Sequence, residues 1–286
     1  MSALISNLIP HLPALQVAVP LVAAALCLLT GRAGLAWIIA VLASAAATAT
    51  AATLAYMTYH HGAISYHMGG WAPPWGIEYA VDTANAFILL LVSAIATIVL
   101  LYCPASVAKE IRTGRGHLFY CMYVLCLTGL LGIAVTGDAF NVFVFLEVSS
   151  LSSYALIAMG GQRKALTAAF QYLIMGTIGA TFFLIGVGLL YMMTGTLNMA
   201  DMQTRIPAIQ DSRPVLAAFA FITVGLALKA ALFPLHLWLP NAYAFAPSAV
   251  SAFIAATATK VSLYVLLRFT FTIFGAEFAF LNLPLH

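Results

Sequence analysis

The stretch "GLALKAALFPLHLWLPNAY", from Gly225 to Tyr243, sets a lysine, Lys229, inside an apolar run. A histidine, His236, follows between Pro234 and Pro240. In a soluble protein such a lysine lies on a solvated face, but the rest of the chain excludes that. Of 286 residues, 64% are hydrophobic and 7% charged, where a soluble domain carries about 25% charged residues. Lipid is therefore the solvent for most of this chain, and the fold class is all-α, a polytopic transmembrane helix bundle. A net charge of +3, scattered along the sequence, gives no nucleic-acid footprint. Cys27, Cys103, Cys121 and Cys126 lack CxxC spacing and a histidine cluster, so they read as buried free thiols. Nothing has the form of a P-loop, a haem pair or a nucleophile triad, and neither cofactor nor metal is expected.

A helix crossing the hydrocarbon core takes roughly 20 apolar residues, and backbone in lipid must be paired within helices or closed barrels. Eight apolar runs meet that length without barrel-like alternation, at 12–30, 35–59, 80–103, 117–137, 139–159, 165–194, 214–236 and 248–274. Met1 to Pro10 has no basic residue and no cleavage site follows, so the first run is read as a retained helix rather than a signal peptide. Loops after spans 1, 3 and 5 hold Arg32, then Lys109, Arg112 and Arg115, then Arg163 and Lys164. The loop after span 2 and the turn after span 4 have neither Lys nor Arg, and Arg205 and Arg213 after span 6 are balanced by Asp201 and Asp211. Positive-inside then predicts both termini outside, on the periplasmic side of a bacterial inner membrane. Tyr66, Trp71, Trp75 and Tyr79 form an interfacial aromatic belt, and the amphipathic segment 197–211 reads as a loop, with a surface helix as the alternative. The glycines of "MGTIGATFFLIGVG" predict close helix contacts.

Three ionisable residues fall within spans: Glu147, Lys229 and Lys260. Each costs about 2.5–3.5 kcal/mol at the bilayer centre, so such groups pair or line a hydrated path. At 1.5 Å per residue, Glu147 and Lys229 lie at depths of roughly 12 Å and 22 Å in parallel spans 5 and 7. Tilt or a helix break has to absorb that offset. Lys260 lies near the middle of span 8. Loss of water favours a neutral amine and a nearby carboxylate favours an ammonium, so a lysine held between the two can take or release a proton. The alternative is a static ion pair that holds the bundle together. His236 lies seven residues after Lys229, two turns along the same face if the helix continues, where an imidazole could pass protons from Lys229 to Lys260. Pro234 and Pro240 break the helix there, and broken helices at membrane depth line cavities. Asp82 and Asp138 read as helix caps. Ser149, Ser150, Ser152 and Ser153 hold waters or join helices.

The segments "FLEVSSLSSYAL", "LKAALFPLHLWLPNAYAFAPSAVSA" and "TKVSLYVLLRF", with "GGWAPPWGIEYAVD" before span 3, resemble the antiporter-like membrane subunits. These are shared by Mrp-type cation/proton antiporters, respiratory complex I and membrane-bound hydrogenases, and the wording is most similar to the antiporter D-type subunit. The resemblance implies an ion-pair switch of Glu147 with Lys229 on a broken helix 7, continued by His236 and Lys260. It implies proton conduction coupled to cation exchange, involving H+ and Na+, or to redox energy elsewhere, within a multisubunit membrane complex whose partner chains hold any redox chemistry. Helices 1–3 would occupy residues 1–116, the first five-helix repeat 117–275, and a tail 276–286. Asn241, Ala242 and Tyr243 stand where many members have Asp-Ala-His, and Ser262 where a Gly is common. Members have about fourteen helices in two inverted repeats. The resemblance therefore implies one inverted-repeat half here, with the second half-channel supplied from beyond His286 or by another chain.

Overall fold

With no water to bond to in the hydrocarbon layer, each apolar run must satisfy its own backbone, and it does so as helix. The computed structural model describes residues 8–282. Helices α1 (Leu12–Thr30) and α2 (Ala33–His61) lead into a hairpin of β1 (Ile64–His67) and β2 (Glu78–Val81). Then follow α3 (Thr83–Glu110), α4 (Gly116–Val135), α5 (Ala139–Ala158), α6 (Arg163–Thr194) and a short α7 (Met199–Arg205). The described chain ends with α8 (Arg213–Lys229), α9 (Leu239–Phe245), α10 (Ser248–Leu267) and α11 (Ala276–Asn282). A π-helical turn, Arg268–Ile273, extends α10.

Among the described residues, 7 helices are long and apolar enough to cross a membrane: α1 to α6, and α10 with its extension. The seventh expected run, 214–236, is helical for only 17 residues, Arg213–Lys229, and then breaks. Two further differences from the sequence reading are local. The aromatic loop after the second span is an antiparallel hairpin pairing Ile64 with Val81 and His67 with Glu78. The segment read as a loop before α8 contains α7, whose cap Asn198 accepts from the Asp201 N–H at 3.0 Å. Aromatic and β-branched residues in "ISYH" and "EYAV" favour strand, and an Asn cap starts even a short helix.

The bundle is built around α4, buried over 83% of its most apolar stretch where the other spans reach 33–50%. Its flank α2 presents Ala36, Ala40, Ala43, Ala47 and Ala51 on one buried face, and small side chains let helix backbones approach closely. The α6–α8 contact works the same way through Gly179, Gly186 and Gly225. Asp82 and Asp138 are caps as expected: each accepts from the backbone N–H three residues on, Asn85 at 2.9 Å and Asn141 at 2.7 Å. Asp82 also pairs with Arg268, whose Nε donates to the Tyr264 hydroxyl at 3.1 Å.

Loops gather at two ends. At one, the Gly137 N–H donates to the Glu78 carbonyl at 2.8 Å and the Asn198 side-chain amide to the Glu78 carboxylate at 2.7 Å. This joins the hairpin to the α4–α5 turn and the α6–α7 loop. At the other end, Glu110 accepts from the Ser248 N–H at 2.7 Å, tying α3 to the start of α10.

Candidate functional site

Lys229 is the last residue of α8, and the chain then runs without helix from Ala230 to Trp238. A helix end leaves carbonyls without partners, and here three of the last four are met locally. Ala230 N–H donates to Leu226 O at 2.8 Å, Leu232 N–H to Ala227 O at 2.9 Å and Ala231 N–H to Leu228 O at 3.2 Å. Ala231 adopts φ 56°, the left-handed conformation that ends many helices. Trp238, buried to 2% exposure, reaches back so that its Nε1–H donates to Leu228 O at 3.1 Å. Pro234 lies within the break, whereas Pro240 falls in the first turn of α9, where proline costs nothing.

The Lys229 side chain is 3% exposed. Its Nζ donates to Ser150 Oγ at 2.7 Å and lies 3.4 Å from Glu147 Oε1. Glu147 and Ser150 are three residues apart on α5, hence on one face. The neighbouring serines are spent on their own helix: Ser149 donates to Leu146 O, Ser152 to Val148 O and Ser153 to Ser149 O. Ser150 alone of the four turns its hydroxyl to the lysine. One turn further along α5, the buried Tyr154 hydroxyl has no hydrogen-bond partner among the described residues and sits against Gly176, where a Cβ would overlap it. The Tyr154 ring meets Tyr172 edge-on at 4.6 Å, and Tyr172 stacks on Trp238 at 4.0 Å with planes 1° apart. An aromatic column thus runs from the α5 face beside the ion pair to the end of the break.

The other two expected members stand apart. His236 does not continue the Lys229 face, because the helix stops before reaching it. Its ring packs on Phe233 at 5.6 Å, and its Nδ1 is buried without a partner. Lys260 is exposed on α10, its Nζ donating to Ala255 O at 2.5 Å. Ser150, Trp238 and the two tyrosines join the site. Only Ser150 leaves a sequence signal, its i+3 spacing from Glu147. Among the described residues no three His, Cys, Asp or Glu gather as metal ligands.

Comparison with known proteins bears on this geometry. The family described as "NADH:quinone oxidoreductase/Mrp antiporter, TM" matches residues 136–283, which include Glu147, Lys229, His236 and Lys260. The N-type subunit of the NADH-quinone oxidoreductase of Desulforudis audaxviator is 49% identical over 203 residues, 71% of this chain and 40% of that protein. The D-type subunit of the Na(+)/H(+) antiporter of Bacillus subtilis is 36% identical over 214 residues, 74% of this chain and 43% of that protein. The chain therefore spans less than half the length of these relatives. Among solved structures, an archaeal membrane-bound sulfane sulfur reductase superposes with TM-score 0.87 at 32% identity, over 95% of this chain and 55% of its match. The Mrp complex from Dietzia superposes with TM-score 0.84 at 28% identity, over 93% of this chain and 49% of its match. The chain is a multi-pass membrane protein of the prokaryotic cell membrane and belongs to the NADH:quinone oxidoreductase/Mrp antiporter transmembrane family.

Proposed function

We propose that this chain is the proton-conducting, antiporter-type subunit of a multisubunit cation/proton antiporter, acting as a transporter component rather than a catalyst. Protons move by way of Glu147, Lys229, His236 and Lys260, with residues 117–275 forming the first five-helix repeat and both termini on the outer side. The observation that carries this reading is the buried lysine at a helix break, held by one serine at 2.7 Å and one carboxylate at 3.4 Å. An amine that close to a carboxylate can exchange a proton with little rearrangement. The unpartnered Nδ1 of His236 supports an acceptor beyond the pair.

A second reading is a proton-pumping subunit of a complex I-like or hydrogenase-type redox complex, favoured by the 49% identity to an N-type oxidoreductase subunit. Co-purifying chains separate the two: small antiporter subunits for the first, iron–sulfur subunits for the second. In both, Lys229→Met, Glu147→Gln and Lys229→Arg should assemble in the complex yet lose proton flux in inverted vesicles. Arginine keeps the pair but cannot release its proton. A scaffold with a locked ion pair instead tolerates Lys229→Arg. Flux unchanged in all three fully assembled variants would refute the relay.

A further inference from the structure

A cavity of about 510 Å³ opens at the end of the bundle where α3 stops and α6 starts. Arg112, Arg115 and Arg163 line it, with Gly160 and Gly161 from the turn between α5 and α6. Among the described residues none of the three arginines makes an ion pair. The nearest acid in sequence, Glu110, is engaged elsewhere, by the Ser248 N–H at 2.7 Å and Ser106 Oγ–H at 3.2 Å. Helix α6 begins at the rim, its Gln162 cap making no side-chain bond to the free backbone N–H groups. Three guanidinium forks beside the Arg163 and Lys164 N–H groups that open α6 describe a receptor for a phosphate group.

What carries that phosphate follows from the wall that leaves the cavity. Leu166 lines it, 58% exposed, and is the first of a row on α6: Phe170 at 61%, Ile174 at 45% and Ile178 at 41%. Spacing of four sets each beside the last, in a row that winds about 120° round α6 from Leu166 to Ile178. From Leu166 to Ile178 the row extends roughly 18 Å, a little more than half of a hydrocarbon core roughly 30 Å thick. A charged pocket at the interface continued by an apolar stripe into the bilayer matches a two-part ligand with an anionic head and an acyl chain. We propose that this cavity and the α6 stripe bind one anionic phospholipid, its phosphate held by Arg112, Arg115 and Arg163.

The test is native mass spectrometry of the assembled complex, delipidated in mild detergent and titrated with dioleoyl phosphatidylglycerol or dioleoyl phosphatidylcholine. Phosphatidylglycerol is expected to be retained and phosphatidylcholine lost. Each arginine near a membrane surface contributes about fivefold to anionic-lipid binding. Arg112→Gln/Arg115→Gln/Arg163→Gln therefore weakens retention about a hundredfold, while Arg213→Gln, at the start of α8 and the opposite end of the bundle, leaves it unchanged. Should the triple variant fail to assemble, Arg163→Gln alone shows the single fivefold step. Equal retention by the arginine variants, or no preference between the two lipids, overturns the site. Displacement of phosphatidylglycerol by millimolar inorganic phosphate reassigns the cavity to a soluble anion and overturns the lipid assignment.

Discussion

Gly225→Ala tests whether the contact that carries Lys229 is fixed by backbone approach. Gly225 lies one helical turn before Lys229. A Cβ added there falls 2.6 Å from the Gly179 carbonyl oxygen and 2.7 Å from the Phe183 nitrogen. Both are backbone atoms of α6, so no rotamer change relieves the overlap. Ordinary contact begins at 3.4 Å, and α6 and α8 must part by roughly 0.8 Å in an interior packed at crystal density. Overpacking of this kind costs about 1–3 kcal/mol. Helix propensity opposes it, since alanine gains about 0.8–1.0 kcal/mol over glycine in a helix interior. Gly188→Ala isolates that term, because nothing lies within 4 Å of its added Cβ. The propensity gain is common to both variants, so their difference reads the overpacking alone, about 1–3 kcal/mol. The assay is reversible denaturation in mixed micelles, followed by circular dichroism. Equal midpoints for the two variants would refute the reasoning.

Trp238→Phe keeps an aromatic face for Tyr172 but removes the donor to Leu228 O. Because Ala231 N–H also reaches that oxygen, the loss sits at the low end, about 1 kcal/mol, measurable as a lowered unfolding midpoint. Burial raises the Asp138 carboxyl pKa, opposed by the Asn141 and Phe140 N–H groups. The folded chain thus holds this proton where the unfolded chain, with an ordinary value of 3.8, has released it. Stability accordingly falls as pH rises from there through the raised value, and Asp138→Asn abolishes that slope in a pH series of thermal melts. All four cysteines are buried and unpaired. A bulky maleimide should label none in the native protein and all four after denaturation, read by intact mass.

The ion pair is legible in the sequence because a charge inside an apolar run is conspicuous and expensive. Its depth is less so: simple rise leaves Glu147 and Lys229 offset, and the pair closes at the point where α8 ends. The same arithmetic misplaces His236, since a two-turn repeat holds only in an unbroken helix, and Pro234 argues against one. The i+3 spacing from Glu147 sets Ser150 apart from Ser149, Ser152 and Ser153, but only the packing of α5 shows that its hydroxyl is the one turned to Lys229. The Asp82–Arg268 pair joins residues 186 positions apart, and single-sequence periodicity carries no such information. Strands of four residues inside an aromatic loop fall below the length at which alternation is recognisable.

The placement of Lys229 at a helix end divides mobility unequally between the two partners. Glu147 lies in the interior of a 20-residue helix, and its backbone shifts only if α5 slides as a rod. Lys229 hangs from a final turn whose hydrogen bonds can open one at a time, as helix ends fray. The nine residues that follow act as slack between α8 and α9. Trp238 pins the far end of that slack to the carbonyl next to the lysine. Backbone motion within the pair therefore belongs to the lysine arm, swinging on a tethered hinge while the backbone that carries Glu147 stays in place.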